Sequence, residues 1–175
     1  MQIRYARISD AIEIAKVQVD TWHSTYRGIV PDNHLNSMTY ECQEQYWREF
    51  LAPDTSEFVI VAESDDKHVL GFSAAGWNKD IYTEFSGELH KLYVLKAGQG
   101  QGIGTLLLRA TANSLRERRL NSMIVWVLGD NPFRGFYESL NGKIIAERTI
   151  YIGEEPLLDV AYGWPDLELF SQKSL

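Results

Sequence analysis

A glycine-rich turn offers the clearest chemistry in this sequence. Glycine occupies positions 98, 100, 102 and 104, between a predicted strand and a predicted helix. Because glycine has no Cβ, backbone N–H groups in such a turn can approach a ligand closely. The helix that follows adds unpaired N–H groups and the positive end of its dipole. The pattern predicts a phosphate-binding turn. A tight turn that binds nothing is the alternative, but the alternating glycines exceed what a strand-to-helix turn requires.

Two familiar nucleotide-binding signatures do not fit this turn. The Walker pattern needs a Lys-Ser or Lys-Thr pair after a glycine, and none follows here. The dinucleotide fingerprint G-x-G-x-x-G fails because Ile103 and Thr105 stand where the closing glycine would have to be. The turn does fit the pattern Q/R-x-x-G-x-G/A through Gln99, Gly102 and Gly104. In that pattern, backbone N–H groups surround a pyrophosphate at the start of a helix.

A tyrosine in a later predicted helix is the candidate proton donor. Tyr137 lies in the segment NPFRGFYESLNG, where Pro132 fits a first helical turn and Asn141-Gly142 fits a helix end. A hydroxyl near a leaving group can protonate it. A core aromatic residue is the alternative, and the presence of the glycine turn in the same sequence favours the role of donor.

An acidic residue and a histidine form the candidate base. Glu88 and His90 lie two residues apart on a predicted strand, and strict alternation places them on one face together with Leu92 and Val94. Burial could raise the pKa of a carboxyl group toward neutrality, and histidine titrates near there. We rank Glu88 above His90 as the base. A solvated pair at the start of a strand is the alternative.

The elements that would position these residues follow from hydrophobic periodicity. Their predicted order is β-α-α-β-β-β-α-β-α-β-β, which indicates a mixed α/β sheet with helices on both faces. Ser9 is the predicted N-cap of the first helix, Pro53 the predicted end of the second, and the last ten residues a loose tail. The predicted strands cover residues 3–8, 58–63, 69–77, 88–95, 122–128, 143–152 and 156–164, and the later helices residues 39–51, 102–119 and 131–140.

Composition narrows the class of protein. The chain has 175 residues, a net charge of −7 and a single cysteine, Cys42. About 100–200 residues is the usual size of one domain, so we expect residues 1–175 to form one. One cysteine supplies neither an internal disulfide nor a thiolate zinc cluster. The acidic balance argues against nucleic-acid binding. No apolar run approaches about 18 residues, so we expect no membrane segment and a cytoplasmic protein.

The segment ELHKLYVLKAGQGQGIG, residues 88–104, closely resembles the acyl-CoA-binding motif of the GNAT superfamily of N-acetyltransferases. The element order resembles that fold over nearly the whole chain. The resemblance implies a mixed α/β (α+β) fold with a central, mostly antiparallel, twisted sheet of about seven strands. It implies acetyl-CoA as cosubstrate and no metal. The residues implied for acyl-CoA binding are Leu92, Tyr93, Val94, Gln99, Gly100, Gln101, Gly102, Ile103, Gly104, Thr105 and Asn131.

The segment NPFRGFYESLNG is similar to a second motif of that family. The resemblance makes Tyr137 the general acid that protonates the CoA sulfur, with Glu88 or His90 as the base. It makes Asn131 a contact of the CoA arm, although many members have one more residue before the Phe-Tyr pair, so Asp130 competes for that position. Asn141 stands where the family usually has glycine, and asparagine tolerates left-handed backbone.

The first two helices of that fold usually form the amine pocket. Here Trp22, Tyr26 and Trp77 could supply an aromatic wall for an alkylammonium group, with Asp32 or Glu84 adding charge. Ordinary core and cap roles are equally open for each of these residues.

The resulting expectation is an acetyl-CoA-dependent N-acetyltransferase that acts on a primary amine by direct attack in a ternary complex. The amine could be a polyamine, an amino acid, an aminoglycoside or a protein amine. Cys42 lies far from both motifs in the sequence, which leaves an acetyl-cysteine route unsupported. A non-catalytic acyl-CoA-binding or sensing module is the alternative function. A homodimer through a strand edge near the C-terminus is a further expectation.

Overall fold

Seven strands form a single twisted sheet. The computed structural model describes residues 1–52, 57–79 and 84–171. The strands lie in the order β1-β2-β3-β4-β5-β7-β6, and every neighbouring pair is antiparallel except β4 and β5. The strands are β1 (Gln2–Tyr5), β2 (Phe58–Glu63), β3 (Val69–Trp77), β4 (Gly87–Val94), β5 (Met123–Leu128), β6 (Lys143–Ile152) and β7 (Glu155–Trp164).

Helices cover both faces of the sheet, which confirms the predicted fold class. On one face, Ile14 and Trp47 from the first and third helices pack against Val61 and Phe72. On the other face, Leu107 of the fourth helix belongs to the larger core. Such a sheet needs strands that are apolar on both sides, as FVIVAE and MIVWVL are. The helices are α1 (Ala11–Thr25), α2 (Asp32–Ser37), α3 (Tyr40–Phe50), α4 (Ile103–Glu117) and α5 (Gly135–Ser139).

The parallel strands β4 and β5 separate after two residue pairs. They pair through Gly87 with Met123 and through Glu88 with Ile124, and the register ends there. The remaining part of β4 turns away from β5, so its backbone groups on that side have no strand partner in the ladder. A parallel sheet normally pairs along its whole length. The split therefore opens a space in the middle of the sheet.

A β-bulge in β4 lies close to this split. The register with β3 pairs Lys91 with Ala74 and Leu89 with Ala75, which leaves His90 outside the ladder. An extra residue of this kind bends its strand and increases the local twist. We attribute the separation of the two strands to this bend.

Several predicted boundaries differ from the structure. The link after the first helix contains the unpredicted α2. The N-cap of α1 is Asp10 instead of Ser9, because a 3₁₀ helix over Ile8–Asp10 precedes it. The helix predicted over residues 131–140 shortens to α5, since residues 131–134 form a turn. The predicted loose tail holds a 3₁₀ helix over Leu167–Phe170 with a buried leucine. The predicted stop at Pro53 lies outside the described residues.

Two further features concern the outside of the fold. None of the helices in the described ranges has the length and apolar character that crossing a bilayer would require. β6 is an edge strand of the sheet, with Ile144 and Tyr151 exposed. The homodimer through this edge stays a prediction.

Candidate active site

A cavity of about 510 Å³ lies at the split between β4 and β5. One wall comes from α1 through Trp22 and Tyr26, and another from the second half of β4. The glycine turn and the start of α4 close one end, Tyr137 of α5 lies beside them, and Asp159 of β7 lines the floor. Clefts of this size that combine apolar walls with a few polar groups are typical ligand sites. The cavity lies where both predicted motifs meet.

Two different structural reasons explain why glycine occupies the four positions of the turn. Gly100 and Gly102 have positive φ angles of 73° and 78°, and a Cβ on either would meet no atom within 4 Å. A Cβ on Gly104 would instead lie 3.3 Å from the ring of Phe136, and one on Gly98 would lie 3.1 Å from Cδ1 of Ile103. Packing therefore accounts for the outer pair. The inner pair combines left-handed backbone with open space, and both residues line the cavity.

Two glutamine side chains hold the turn in place. The Gln99 amide donates to the carbonyl of Val94 over 3.1 Å, and the Gln101 amide donates to the carbonyl of Ala97 over 2.8 Å. The first N–H groups of a helix have no partner within it, and Ile103, Gly104 and Thr105 at the start of α4 line the cavity. Of the residues predicted to bind acyl-CoA, only Gln101 is absent from the described cavity lining.

Tyr137 is a buried residue of the cavity wall. Its side chain stacks on Tyr162 at a centroid distance of 5.7 Å, and it packs edge-on against Phe136 at 5.1 Å. The hydroxyl of Tyr162 donates to Glu138 over 2.8 Å and accepts from Arg134, so the stacking partner is itself fixed. Burial raises the pKa of the Tyr137 phenol well above its usual range. The phenol is therefore protonated at neutral pH and available as a donor.

The bulge in β4 overturns one sequence prediction. Strict alternation placed Glu88, His90, Leu92 and Val94 on one face, but Leu92 and Val94 pack in the same core as Leu89. Because neighbouring residues of a strand point to opposite faces, Glu88 points away from that core. The extra residue shifts the alternation by one position. Leu92 and Val94 therefore do not share a face with Glu88.

His90, and not Glu88, is the member of the pair that lines the cavity. Its Nδ1 lies 3.4 Å from Oε1 of Glu88, and its Nε2 lies 3.9 Å from Oε2 of Glu57. Glu57 in turn accepts from the Nζ of Lys79 over 2.6 Å, and that lysine is largely exposed. His90 thus reaches the cavity and Glu88 contacts it from behind, while the ranking of Glu88 above His90 as the base stays a prediction. This geometry also adds Glu57, which the sequence analysis missed.

Buried polar atoms without partners concentrate at the same place. Within the described parts of the chain, Nε2 of His90 and Oγ1 of Thr21 are the buried side-chain atoms that lack a hydrogen-bond partner. Both residues line the cavity. Since buried polar groups are nearly always satisfied, these two atoms are candidates for hydrogen bonds to a ligand in the cavity.

Asn131 and the aromatic residues of α1 form one hydrogen-bonded wall. Asn131 donates from Nδ2 to the hydroxyl of Tyr26 over 2.8 Å, while Nε1 of Trp22 donates to the hydroxyl of Tyr93 over 2.9 Å. Burial raises the pKa of Tyr26 to about 12. Asn131 lines the cavity, whereas Asp130, the other candidate for the contact with the CoA arm, is exposed and lies outside the lining.

The third predicted aromatic residue, Trp77, is not part of this wall. Its side chain is 63% exposed at the end of β3, and it does not line the cavity. Asp32 and Glu84 are likewise exposed and outside the lining. The structure brings Trp22 and Tyr26 together, with ring centroids 4.8 Å apart, and leaves the other three elsewhere.

Comparisons with known proteins agree with this geometry. A sequence profile of the acetyltransferase (GNAT) family matches residues 19–142. The uncharacterized N-acetyltransferase YuaI of Bacillus subtilis (strain 168) is 36% identical over 165 residues, which cover 94% of this chain and 93% of the relative. The chain belongs to the GNAT family. The match to YuaI and to the family profile makes it an N-acetyltransferase of that family.

Solved structures show the same GNAT fold at low sequence identity. The PaiA N-acetyltransferase of Thermoplasma acidophilum, solved with coenzyme A, is 18% identical with a TM-score of 0.71, and the match covers 90% of this chain and 96% of that one. The protein yncA of Salmonella typhimurium, solved with acetyl-CoA, is 20% identical with a TM-score of 0.64, and the match covers 95% of this chain and 94% of that one. These structures confirm the fold, and the profile match and the YuaI relative confirm the family.

The sequence analysis of this GNAT protein missed the acidic residue in the cavity floor. Asp159 lies within the apolar strand PLLDVAYGW, is 4% exposed and lines the cavity. Its partner in the β6–β7 register is Arg148, whose Nε donates to its Oδ2 over 3.0 Å. A charged residue inside an otherwise apolar strand is unusual unless it is paired. That isolated charge was the signal in the sequence.

Proposed function

We propose that this GNAT protein transfers an acetyl group from acetyl-CoA to a primary amine by direct attack within the cavity. One observation carries the proposal. The open glycine turn, the neutral phenol of Tyr137 and the imidazole of His90 line the same cavity, at the place where β4 has no strand partner. The two solved relatives that hold coenzyme A or acetyl-CoA in this fold support it.

The glycine turn supplies the proposed pyrophosphate site. The backbone N–H groups at Gly100, Gly102 and the first turn of α4 would donate to the phosphate oxygens, and the dipole of the 15-residue helix favours their negative charge. The unpaired backbone of β4 between Leu92 and Val94 would hold the pantetheine arm in a strand-like pairing. Acyl-CoA binding of this kind needs no basic surface, which is consistent with the net charge of −7.

His90 would accept the proton of the incoming amine. The attacking nitrogen forms a bond to the thioester carbonyl carbon, and its proton passes to Nε2 of His90, the buried atom without a hydrogen-bond partner. Glu88 and Glu57 flank the imidazole, so the proton that His90 takes up would lie beside two carboxylates. Glu57 and the exposed Lys79 connect the imidazole to solvent.

Tyr137 would protonate the departing thiolate. As the C–S bond breaks, the sulfur takes the phenolic proton and leaves as the thiol. A backbone N–H between Leu92 and Val94 would stabilise the negative charge on the carbonyl oxygen. Solvent then restores the proton of Tyr137, and the proton on His90 leaves through the carboxylates.

The test is thiol release from acetyl-CoA across a panel of primary amines. We expect amine-dependent release that falls by about 10²- to 10⁴-fold in Tyr137→Phe, the usual range for losing a general acid. The affinity for coenzyme A should be retained in this variant. Binding of acetyl-CoA without turnover on any amine would instead support the sensing alternative.

A further inference from the structure

The floor of the cavity carries a carboxylate that the proposed chemistry does not use. Among the described residues that line the cavity, Asp159 is the only carboxylate. In the sheet it pairs with Leu128 of β5, and Leu128 packs with Tyr26 and Ile150. Asp159 therefore faces the side of the cavity formed by α1, where an acceptor would enter.

Arg148 binds one oxygen of the Asp159 carboxylate and leaves the other oxygen without a hydrogen bond in the described part of the chain. Both Nε and Nη2 of Arg148 contact Oδ2 of Asp159, at 3.0 and 2.9 Å. The guanidinium also lies over the ring of Trp126, 3.8 Å from its centroid. Within the described residues, no hydrogen bond reaches Oδ1. Arg148 thus fixes the carboxylate while one oxygen stays available to a ligand.

The surroundings of Asp159 favour a cation attached to an apolar body. Burial raises the pKa of its carboxyl group, and the hydrogen bond from Arg148 opposes this rise. A buried carboxylate attracts a positive charge more strongly than an exposed one, and aromatic faces add to that attraction. An anionic group beside the amine would be repelled. The walls around the carboxylate are apolar or aromatic: Trp22, Tyr26, Trp126, Leu128, Ile150 and Ile152.

We propose that Asp159 binds the ammonium group of the acceptor, and that the acceptor is a primary amine with an aryl or alkyl body and no carboxylate next to the amine. The proposal rests on the proposed function and narrows its substrate class. Asp159 and His90 line one cavity from β7 and β4, on either side of β5. Asp159 would receive the charged amine. His90 would take one proton from the ammonium before attack and release it to solvent through the carboxylates, and it would then take the second proton as the C–N bond forms.

A binding measurement tests this without relying on turnover. Titration calorimetry measures the binding of 2-phenylethylamine and of L-phenylalanine, which differ by one carboxylate, to protein saturated with desulfo-CoA. We expect the amine to bind at least about tenfold more tightly than the amino acid. Asp159→Asn should weaken amine binding by about 10- to 100-fold, the range for losing a charged hydrogen bond. Its desulfo-CoA affinity should not change.

Glu147→Gln is the matched control. Glu147 is exposed and neighbours Arg148 on the opposite face of β6, so the variant removes the same charge without touching the cavity. It should bind the amine as the wild type does. Retained desulfo-CoA affinity and an unchanged melting temperature show that Asp159→Asn is folded.

Three results would overturn the proposal. The wild type could fail to bind the amine, or Asp159→Asn could bind the amine with an affinity within about threefold of the wild-type affinity. The third result is that the wild type prefers L-phenylalanine and that Arg148→Gln abolishes this binding. Thiol release from acetyl-CoA is measured alongside with the same amine. Binding that depends on Asp159 but gives no thiol would refute the acetyl transfer and leave this inference standing.

Discussion

Gly102→Ala separates the two roles of a left-handed glycine. Gly102 has φ +78° and open space around an added Cβ, and it lines the cavity. Gly28 has φ +80° and equally open space, but it does not line the cavity. Left-handed backbone costs a residue with a Cβ about 1–2 kcal/mol. Both variants should therefore lose a similar free energy of unfolding, which lowers the melting temperature by about 2–8 °C for a domain of this size.

Only the variant in the cavity should lose affinity for coenzyme A. A methyl group on Gly102 would enter the space where the phosphate oxygens meet the N–H groups. Losing one charge-assisted hydrogen bond costs about 1.5–3 kcal/mol, which is roughly a 10- to 100-fold rise in Kd. Calorimetry with coenzyme A measures this at a temperature where both variants are folded.

Equal coenzyme A affinity in Gly102→Ala and Gly28→Ala would refute the pyrophosphate assignment. Gly153→Ala in the β6–β7 turn is a second control, with φ +63° and open space. Substitution of Gly104 would not serve, because an added Cβ meets the Phe136 ring at 3.3 Å and disturbs packing.

Two further predictions concern the proton path and the ion pair between Arg4 and Asp10. His90→Gln should reduce kcat by about 10²-fold, and Glu88→Gln should reduce kcat less, because of these two residues only His90 lines the cavity. An equal or larger loss of kcat in Glu88→Gln, measured by thiol release, would contradict this order. Burial opposes ionisation of Asp10, but hydrogen bonds from Arg4 at 2.7 and 3.0 Å outweigh it and lower the pKa of Asp10. The charge of Asp10 therefore stabilises the fold above its unfolded pKa near 3.8, and this stability is lost as the pH falls through the lower folded value. In urea unfolding, Asp10→Asn should lower the free energy of unfolding by about 1–3 kcal/mol at pH 7, and this loss should shrink below about pH 4. The control Asp65→Asn should change it little, because Asp65 is 93% exposed. A loss in Asp10→Asn that is the same at all pH values would show that the charge of Asp10 is not its cause.

Local patterns in the sequence predicted much of this fold. The strands over 58–63, 69–77 and 143–152 have the predicted bounds, because their β-branched and apolar residues fit strands and polar turns separate them. Asn141 was expected to tolerate left-handed backbone, and its φ is 63°. The glycine pattern placed the turn between β4 and α4. These features depend on neighbours in the chain.

Features set by distant contacts were not predictable. The bulge at His90 changes the face of every residue before it on β4, and no local pattern marks it. The exposure of Trp77 depends on where β3 ends relative to its neighbours. Asp159 became a site residue only when the register set it beside Arg148 and under α1. Each of these depends on tertiary pairing, which periodicity does not encode.

The most direct test of the central claim is amine-dependent thiol release in Tyr137→Phe beside Tyr151→Phe. Tyr137 is 8% exposed in the cavity wall, while Tyr151 is 71% exposed on β6 and does not line the cavity. We predict that Tyr137→Phe loses at least about 10²-fold in kcat with unchanged coenzyme A affinity, and that Tyr151→Phe matches the wild type. Wild-type rates in both variants would contradict the account of the site.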